Sequence, residues 1–222
     1  MKSDQRRRKP MFVDEPGTGI VLSGLLRYNL FTAAFFLGRQ QQLLVAFADR
    51  AGVREGEDAL DIGCGPGRLV RVLGQRVGAR GSVTGVDPSA DAIERNIQRD
   101  TGHRYLRSTA QQLMLPDAAF DLVTCTFVMH HIPEQHREGA LAEMWRVLRP
   151  GGRLLLADAH PSDRIRAVFA RLDSVRRKEG RTFDATDVRR YSGVLDEIGF
   201  SGTVFATMGH NTAMLLAVKP DR

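Results

Sequence analysis

From residue 58 onward, short apolar runs alternate with helix-period stretches along the chain. The runs DALDIG, GSVTGVD, HRYLRS, FDLVTCTFV and GGRLLLAD read as strands. Helices are predicted over 67–77, 89–99, 135–148, 163–178 and 185–198, the last stopped by Gly199. The tail GTVFATMGHNTAMLLAVKP reads as two strands about a turn near Gly209 to Asn211. Alternating strands and helices imply an α/β fold with a parallel sheet covered on both faces. Upstream, LLRYNLFTAAFFLG and RQQQLLVAFADRAG read as one or two helices, and Gly52 suits a helix stop. Residues 1–17 read as an unstructured arm ending in the turn-former DEPGTG.

Composition sharpens this division. A chain of 222 residues with 42% hydrophobic content suits one globular core, with a small appendage at most. No apolar run reaches membrane-spanning length. MKSDQRRRKP has no apolar stretch behind it and does not read as a secretory signal. Two cysteines far apart, Cys64 and Cys125, argue against a disulfide framework and lack metal-ligand spacing. The expected place is the cytoplasm. The formal charge is +6, but residues 1–10 hold Lys2, Arg6, Arg7, Arg8 and Lys9 against Asp4, so the body is nearly balanced. Such an arm can touch nucleic acid or anionic lipid, yet a solubilising role is the simpler reading, and no stable nucleic-acid or membrane partner is expected. The basic stretch within 163–190 has interleaved acids and reads as a solvated helix face.

The chemistry begins at ALDIGCGPGRLV. An apolar strand ends in an acid, and Gly63, Gly65 and Gly67 follow before a helix. Glycine lets backbone approach a ligand closely and adopt positive φ. The dinucleotide pattern G-x-G-x-x-G needs a glycine at 68, where Arg68 stands, so a nicotinamide cofactor is not indicated. The next strand ends in Asp87, where a carboxylate can accept hydrogen bonds from two ribose hydroxyls. Strand, glycine turn, helix, strand and acid make a nucleoside-binding layout.

LDIGCGPGRL resembles the first motif of class I S-adenosylmethionine-dependent methyltransferases, and VTGVDPSADAIERN resembles their second strand. LPDAAFDLVTCTFVMHHI and EMWRVLRPGGRLLLAD resemble the fourth-strand region and the approach to the fifth. The resemblance covers about 58–158 and is nearest the small-molecule group that includes quinone-biosynthesis members. It implies a Rossmann-like, doubly wound, mostly parallel seven-stranded sheet with an antiparallel terminal strand, plus an N-terminal helical lid. The organisation is then a basic arm over 1–17, a helical lid over 18–52 and a methyltransferase domain over 53–222, with 159–185 on the acceptor side. By position, the resemblance implies that Gly63, Cys64, Gly65 and Gly67 pack on the cofactor. Asp61 helps hold its ammonium, Asp87 its ribose, and Pro88 and Ser89 border its adenine. Family members often carry Asp-Ala before the LP stretch. Here the pair is Thr109-Ala110, so Thr109 or Gln111 takes the adenine edge. Cys125 and Thr126 face the amino group. The cofactor is S-adenosyl-L-methionine, the product S-adenosyl-L-homocysteine, and no metal is implied.

Thr126-Phe127-Val128-Met129 stands where enzymes that methylate exocyclic amines carry Asn-Pro-Pro-Tyr, which disfavours that chemistry. His130 and His131 follow the fourth strand, and a base there would deprotonate an oxygen or nitrogen acceptor. The expectation is His130 inward as the catalytic candidate and His131 packed behind, with His136 outside. Tyr28, Phe31 and Phe35 are candidates for an apolar lid over the acceptor, with core packing of the same helix as the plainer reading and contact with a membrane surface as a third. The implied function is methyl transfer to a small, fairly apolar organic acceptor such as a phenol, quinol or specialised metabolite. The alternatives are a non-catalytic cofactor-binding module on the same fold, or a methyltransferase acting on lipid or RNA.

Overall fold

The computed structural model describes residues 10–36, 38–160, 183–209 and 211–221, with the side chains of residues 34 and 35 outside the description. The predicted helix over 163–178 and His210 therefore lie outside the described residues.

Two short strands come first, β1 (Phe12–Glu15) and β2 (Gly19–Leu22), paired antiparallel. Helices α1 (Leu25–Phe35) and α2 (Gln40–Arg50) follow. Then come β3 (Asp58–Ile62), α3 (Arg68–Val77), β4 (Ser82–Asp87), α4 (Ala90–Arg99), β5 (Arg104–Arg107) and β6 (Phe120–Thr126). Next are α5 (Arg137–Val147), β7 (Leu148–Ala159), α6 (Ser192–Ile198), β8 (Ser201–Met208) and β9 (Thr212–Val218).

The seven-stranded sheet runs β5-β4-β3-β6-β7-β9-β8. Its strands are parallel except β9, which is antiparallel to both β7 and β8. Period-two alternation sends apolar side chains to both faces. Leu60, Ile62, Val123, Cys125, Leu154 and Leu156 join α5 and α6 residues such as Met144 and Leu195 in one core. Ala59, Leu122, Leu155 and Ala157 join Phe47 of α2 and Leu73 of α3 in the other. The chain moves outward from β3 in one direction and from β6 in the other. A crevice at such a reversal, beyond the carboxyl ends of the strands, is where open α/β sheets hold ligands.

Two expectations need correction. The arm was read to residue 17 and the lid as helical from 18, but Phe12–Glu15 is a strand and its hairpin partner Gly19–Leu22 opens the lid segment. The turn-former PGTG supplies the reversal, and Ser23 and Gly24 donate backbone bonds back to Met11. The stretch 185–198 is not one helix: 3₁₀ turns Phe183–Thr186 and Val188–Tyr191 precede α6. Asp187 accepts from the Arg189 N–H and caps a new start there.

Candidate active site

The crevice lies between the loop after β3 and the loop after β6. Gly63 has φ +70°, and a Cβ on it would come within 2.1 Å of Val128 Cγ2, so only glycine lets the two loops close together. The Gly63 and Cys64 N–H groups donate to Val86 O at the end of β4, which locks the turn onto the sheet. Asn96 Nδ2 donates to Gly65 O at 2.8 Å from α4.

Two buried carboxylates face this turn. Asp61 is 2% exposed and accepts from Thr124 Oγ1 at 2.8 Å. Asp87 is 6% exposed and accepts from the Gly65 and Ser89 N–H groups, each at 2.8 Å. Neither pairs with a basic side chain among the described residues. Burial pushes the Asp61 carboxyl up to about 7, against the pull of Thr124 and with help from the Asp87 charge. Burial also raises Asp87, opposed by its two backbone donors. Carboxylates held in this condition suit a ligand that brings its own cation and hydroxyls.

The opposite wall carries the proposed base. His130 Nδ1 stands 2.7 Å from Asp158 Oδ2, where Asp158 is the penultimate residue of β7 at 1% side-chain exposure and His130 keeps 24%. The Ala159 N–H binds Asp158 Oδ1. Burial raises the Asp158 carboxyl, and the bond to His130 works against that rise. His131 lies behind, its ring 4.0 Å from His130 and 5.1 Å from Phe12, with Nδ1 buried and without a hydrogen-bond partner among the described residues. Burial, then the neighbouring His130, pull the His131 pKa down to about 3, so it stays neutral. Phe127, between the sheet and these histidines, holds a positive φ of 60°. Its N–H bonds Ala157 O, and its ring packs on Phe36 and Phe47. Strained backbone of this kind persists where surrounding packing enforces it.

The N-terminal segment covers the cradle. Ser89 Oγ donates to Leu22 O at 2.5 Å and also caps α4 through the Ala92 N–H. Gln111 Nε2 donates to Gly17 O, so Gln111 is spent on the hairpin rather than left for an adenine edge. Arg68, first residue of α3, binds Asn29 Oδ1 at 3.0 Å and also Gln40, tying α1 and α2 to the glycine loop. Tyr28 is half-buried with its phenol near Asp87, Arg68 and Asp61, and its pKa is pushed up to about 12, mainly by desolvation. Tyr28 thus faces the two carboxylates from α1.

The structure brings Asp61, Gly63, Cys64, Gly65, Gly67, Asp87, Pro88 and Ser89 to one edge of the sheet, with Thr109 and Ala110 just beyond β5 and Thr126 closing β6. Cys64 and Cys125 are buried free thiols, both pushed up by burial. Phe31 is 50% exposed on the outer face of α1, and the Phe35 side chain lies outside the description. Asp158 and Arg68 were missed in the sequence. The signal for Asp158 was available: LLLAD is a second buried strand closing in an acid, as SVTGVD closes in Asp87.

A family model described as a methyltransferase domain matches residues 60–156, the span from β3 to β7 that builds this crevice. That span, less than half of the chain, is thus similar to a methyltransferase domain. It is 32% identical over 146 residues to the ubiquinone/menaquinone biosynthesis C-methyltransferase UbiE of Psychromonas ingrahamii, covering 63% of this chain and 57% of that protein. It is 33% identical over 138 residues to the Hahella chejuensis protein of the same name, covering 60% and 55%. The chain thus spans little more than half the length of these relatives. A SAM-dependent methyltransferase from Aquifex aeolicus superposes with TM-score 0.67 at 19% identity, over 88% of this chain and 96% of that one. The 4+2 cyclase SpnF superposes with TM-score 0.63 at 17% identity, over 81% and 80%. S-adenosyl-L-methionine fits the residues present: its ammonium and ribose hydroxyls match two buried carboxylates, Asp61 and Asp87, that lack basic partners among the described residues.

Proposed function

We propose that the chain binds S-adenosyl-L-methionine in this cradle and transfers its methyl group to a small, fairly apolar organic acceptor bearing an ionisable hydroxyl, such as a phenol or quinol. The observation that carries the reading is the contact between His130 and Asp158, set beside the carboxylate pair. When bound, the cofactor supplies an electrophilic methyl group with a neutral thioether as leaving group. Asp61 accepts from its ammonium, and Asp87 accepts from its ribose hydroxyls. Asp158 accepts from His130 Nδ1–H, which fixes the tautomer and leaves Nε2 as the basic nitrogen. Nε2 takes the acceptor's hydroxyl proton, and the Asp158 charge stabilises the imidazolium that results. A phenolate is nucleophilic at oxygen and at the ring carbons ortho and para to it. The same proton removal therefore serves O- or C-methylation, and the C-methyltransferase relatives favour the second. Tyr28 and the hairpin cover the cofactor and keep water from the reacting pair, where orientation supplies about 7–11 kcal/mol of the barrier in favourable systems.

A labelled-methyl transfer screen across phenols and quinols, with product mass analysis, tests the reading. Product from at least one acceptor is expected, with loss in His130→Ala. Tight cofactor binding with no transfer to any hydroxylated acceptor would favour the non-catalytic module.

A further inference from the structure

The outer face of α1 is apolar where a surface helix is ordinarily polar. Leu26 is 60% exposed, Leu30, one turn on, 65%, and Phe31 beside it 50%, with Arg27 exposed on the same face. The inner face is already used, through buried Leu25 and Thr32 and through Tyr28 and Asn29 at the cofactor cradle. Core packing therefore does not account for the outward leucines. The charge pattern of the same region is one-sided. No Asp or Glu falls between Glu15 and Asp49, whereas Arg27 and Arg39 do, and Lys2, Arg6, Arg7, Arg8 and Lys9 precede it in sequence.

We propose that this face of α1 seats the protein on an anionic lipid bilayer. Exposed leucines and an aromatic ring on one side of a helix, with exposed Arg27 on the same face and no acidic residue in the segment, suit burial at the level of the headgroups. No helix among the described residues is long and apolar enough to cross a membrane, so the contact is peripheral. A second copy of the chain is a poorer occupant, because two such faces would oppose arginine to arginine with no acidic side chain on α1 between them. The inference reverses the expectation that no membrane partner is involved. It also adds a route for the acceptor, since the bilayer would lie on the helix whose inner side covers the cofactor. The surface itself is independent of the transfer chemistry.

The full chain is sedimented with phosphatidylcholine vesicles with and without about 30% phosphatidylglycerol. Binding is expected only to the anionic vesicles and is expected to weaken in about 1 M salt, where the Debye length falls to about 3 Å. Leu26→Glu/Leu30→Glu should reduce the bound fraction by at least about tenfold, with the circular dichroism melt and S-adenosylhomocysteine affinity retained. Leu26→Ser/Leu30→Ser provides a milder pair should the glutamates disturb folding, and the same direction is expected. No binding to either vesicle overturns the proposal, and so does binding that neither pair reduces. A dimer in sedimentation velocity that dissolves in the leucine variants, with no vesicle binding, also overturns it and assigns the face to a contact between copies.

Discussion

At the residue scale, the cradle is governed by groups whose ionisation burial has moved. Asp61, raised to about 7, is partly protonated near neutral pH when no ligand is bound. A cationic ammonium needs it charged, so cofactor affinity should rise with pH up to about 8. Between pH 8 and pH 6 the apparent dissociation constant should weaken by about tenfold. Calorimetric titration checks this, and Asp61→Asn should bind weakly with no slope over that range. The sign for stability is opposite. A carboxyl whose folded pKa lies above its unfolded value favours folding below the unfolded pKa and loses that contribution as pH rises through the folded one. Asp61→Asn should therefore melt higher than wild type at pH 8 without ligand, even though it binds cofactor poorly. His131, lowered to about 3, works the other way. Its contribution is present above about 6.5 and is lost as pH falls toward 3, so His131→Gln should flatten the acid side of a melting profile. His130→Ala should lose roughly 10²–10⁴-fold in single-turnover rate with cofactor affinity unchanged. Asp158→Asn should fall in the same direction and leave the acceptor's KM less affected than kcat. A change below about threefold in His130→Ala at every pH would remove that residue from the chemistry.

At the element scale, the hairpin before α1 is the part that sequence periodicity did not reveal. Four-residue strands with mixed polarity give no clear alternation, and FVDEPGTGIVL reads as easily as an arm. What holds the hairpin is tertiary: Leu22 O on Ser89, Gly17 O on Gln111, and Phe12 against His131. Gly19 is the tightest point. Its φ is +95°, and a Cβ there would meet His131 O at 2.2 Å and Pro133 Cδ at 2.7 Å. Gly19→Val should lift the hairpin off the histidines, lower the melting temperature and slow methyl transfer more than it weakens binding of S-adenosylhomocysteine. Removing residues 1–9 should change neither melting nor cofactor affinity, because Met1 is the only apolar side chain in MKSDQRRRK and little apolar surface is lost. If the short truncation abolished cofactor binding and Gly19→Val left transfer intact, the hairpin would not be the working part of the N-terminus.

At the scale of the whole molecule, the parallel strands and the glycine turn were legible because they rest on local signals, whereas the strand order was not. Buried parallel strands read as apolar runs, and glycine with a closing acid marks the turn. The His130–Asp158 contact was only half legible: it joins residues 28 apart, one in the turn after β6 and one near the end of β7, and only the register of β6 with β7 brings them together. The fold also carries different chemistries, as the superposition on a cyclase shows, so a test of cofactor binding must read the whole fold rather than product alone. Cys64 and Cys125 provide that readout. Both thiols are buried and raised by burial, and buried thiols of this kind react slowly until the chain opens. S-adenosylhomocysteine at 100 times its dissociation constant should add about 2.7 kcal/mol to the closed state. Where alkylation waits on global opening that recloses faster than it is trapped, labelling of both cysteines should slow by the same factor, about 100. Cys64 lies in the glycine turn, whereas Cys125 is hydrogen-bonded into the middle of the sheet through β3 and β7. A faster unliganded rate at Cys64 alone would therefore report local opening of the turn, and ligand should remove that excess first. Mass spectrometry of timed alkylation resolves the two sites. Equal rates with and without ligand at both cysteines, in protein that still melts cooperatively, would show that S-adenosylhomocysteine does not bind this edge of the sheet.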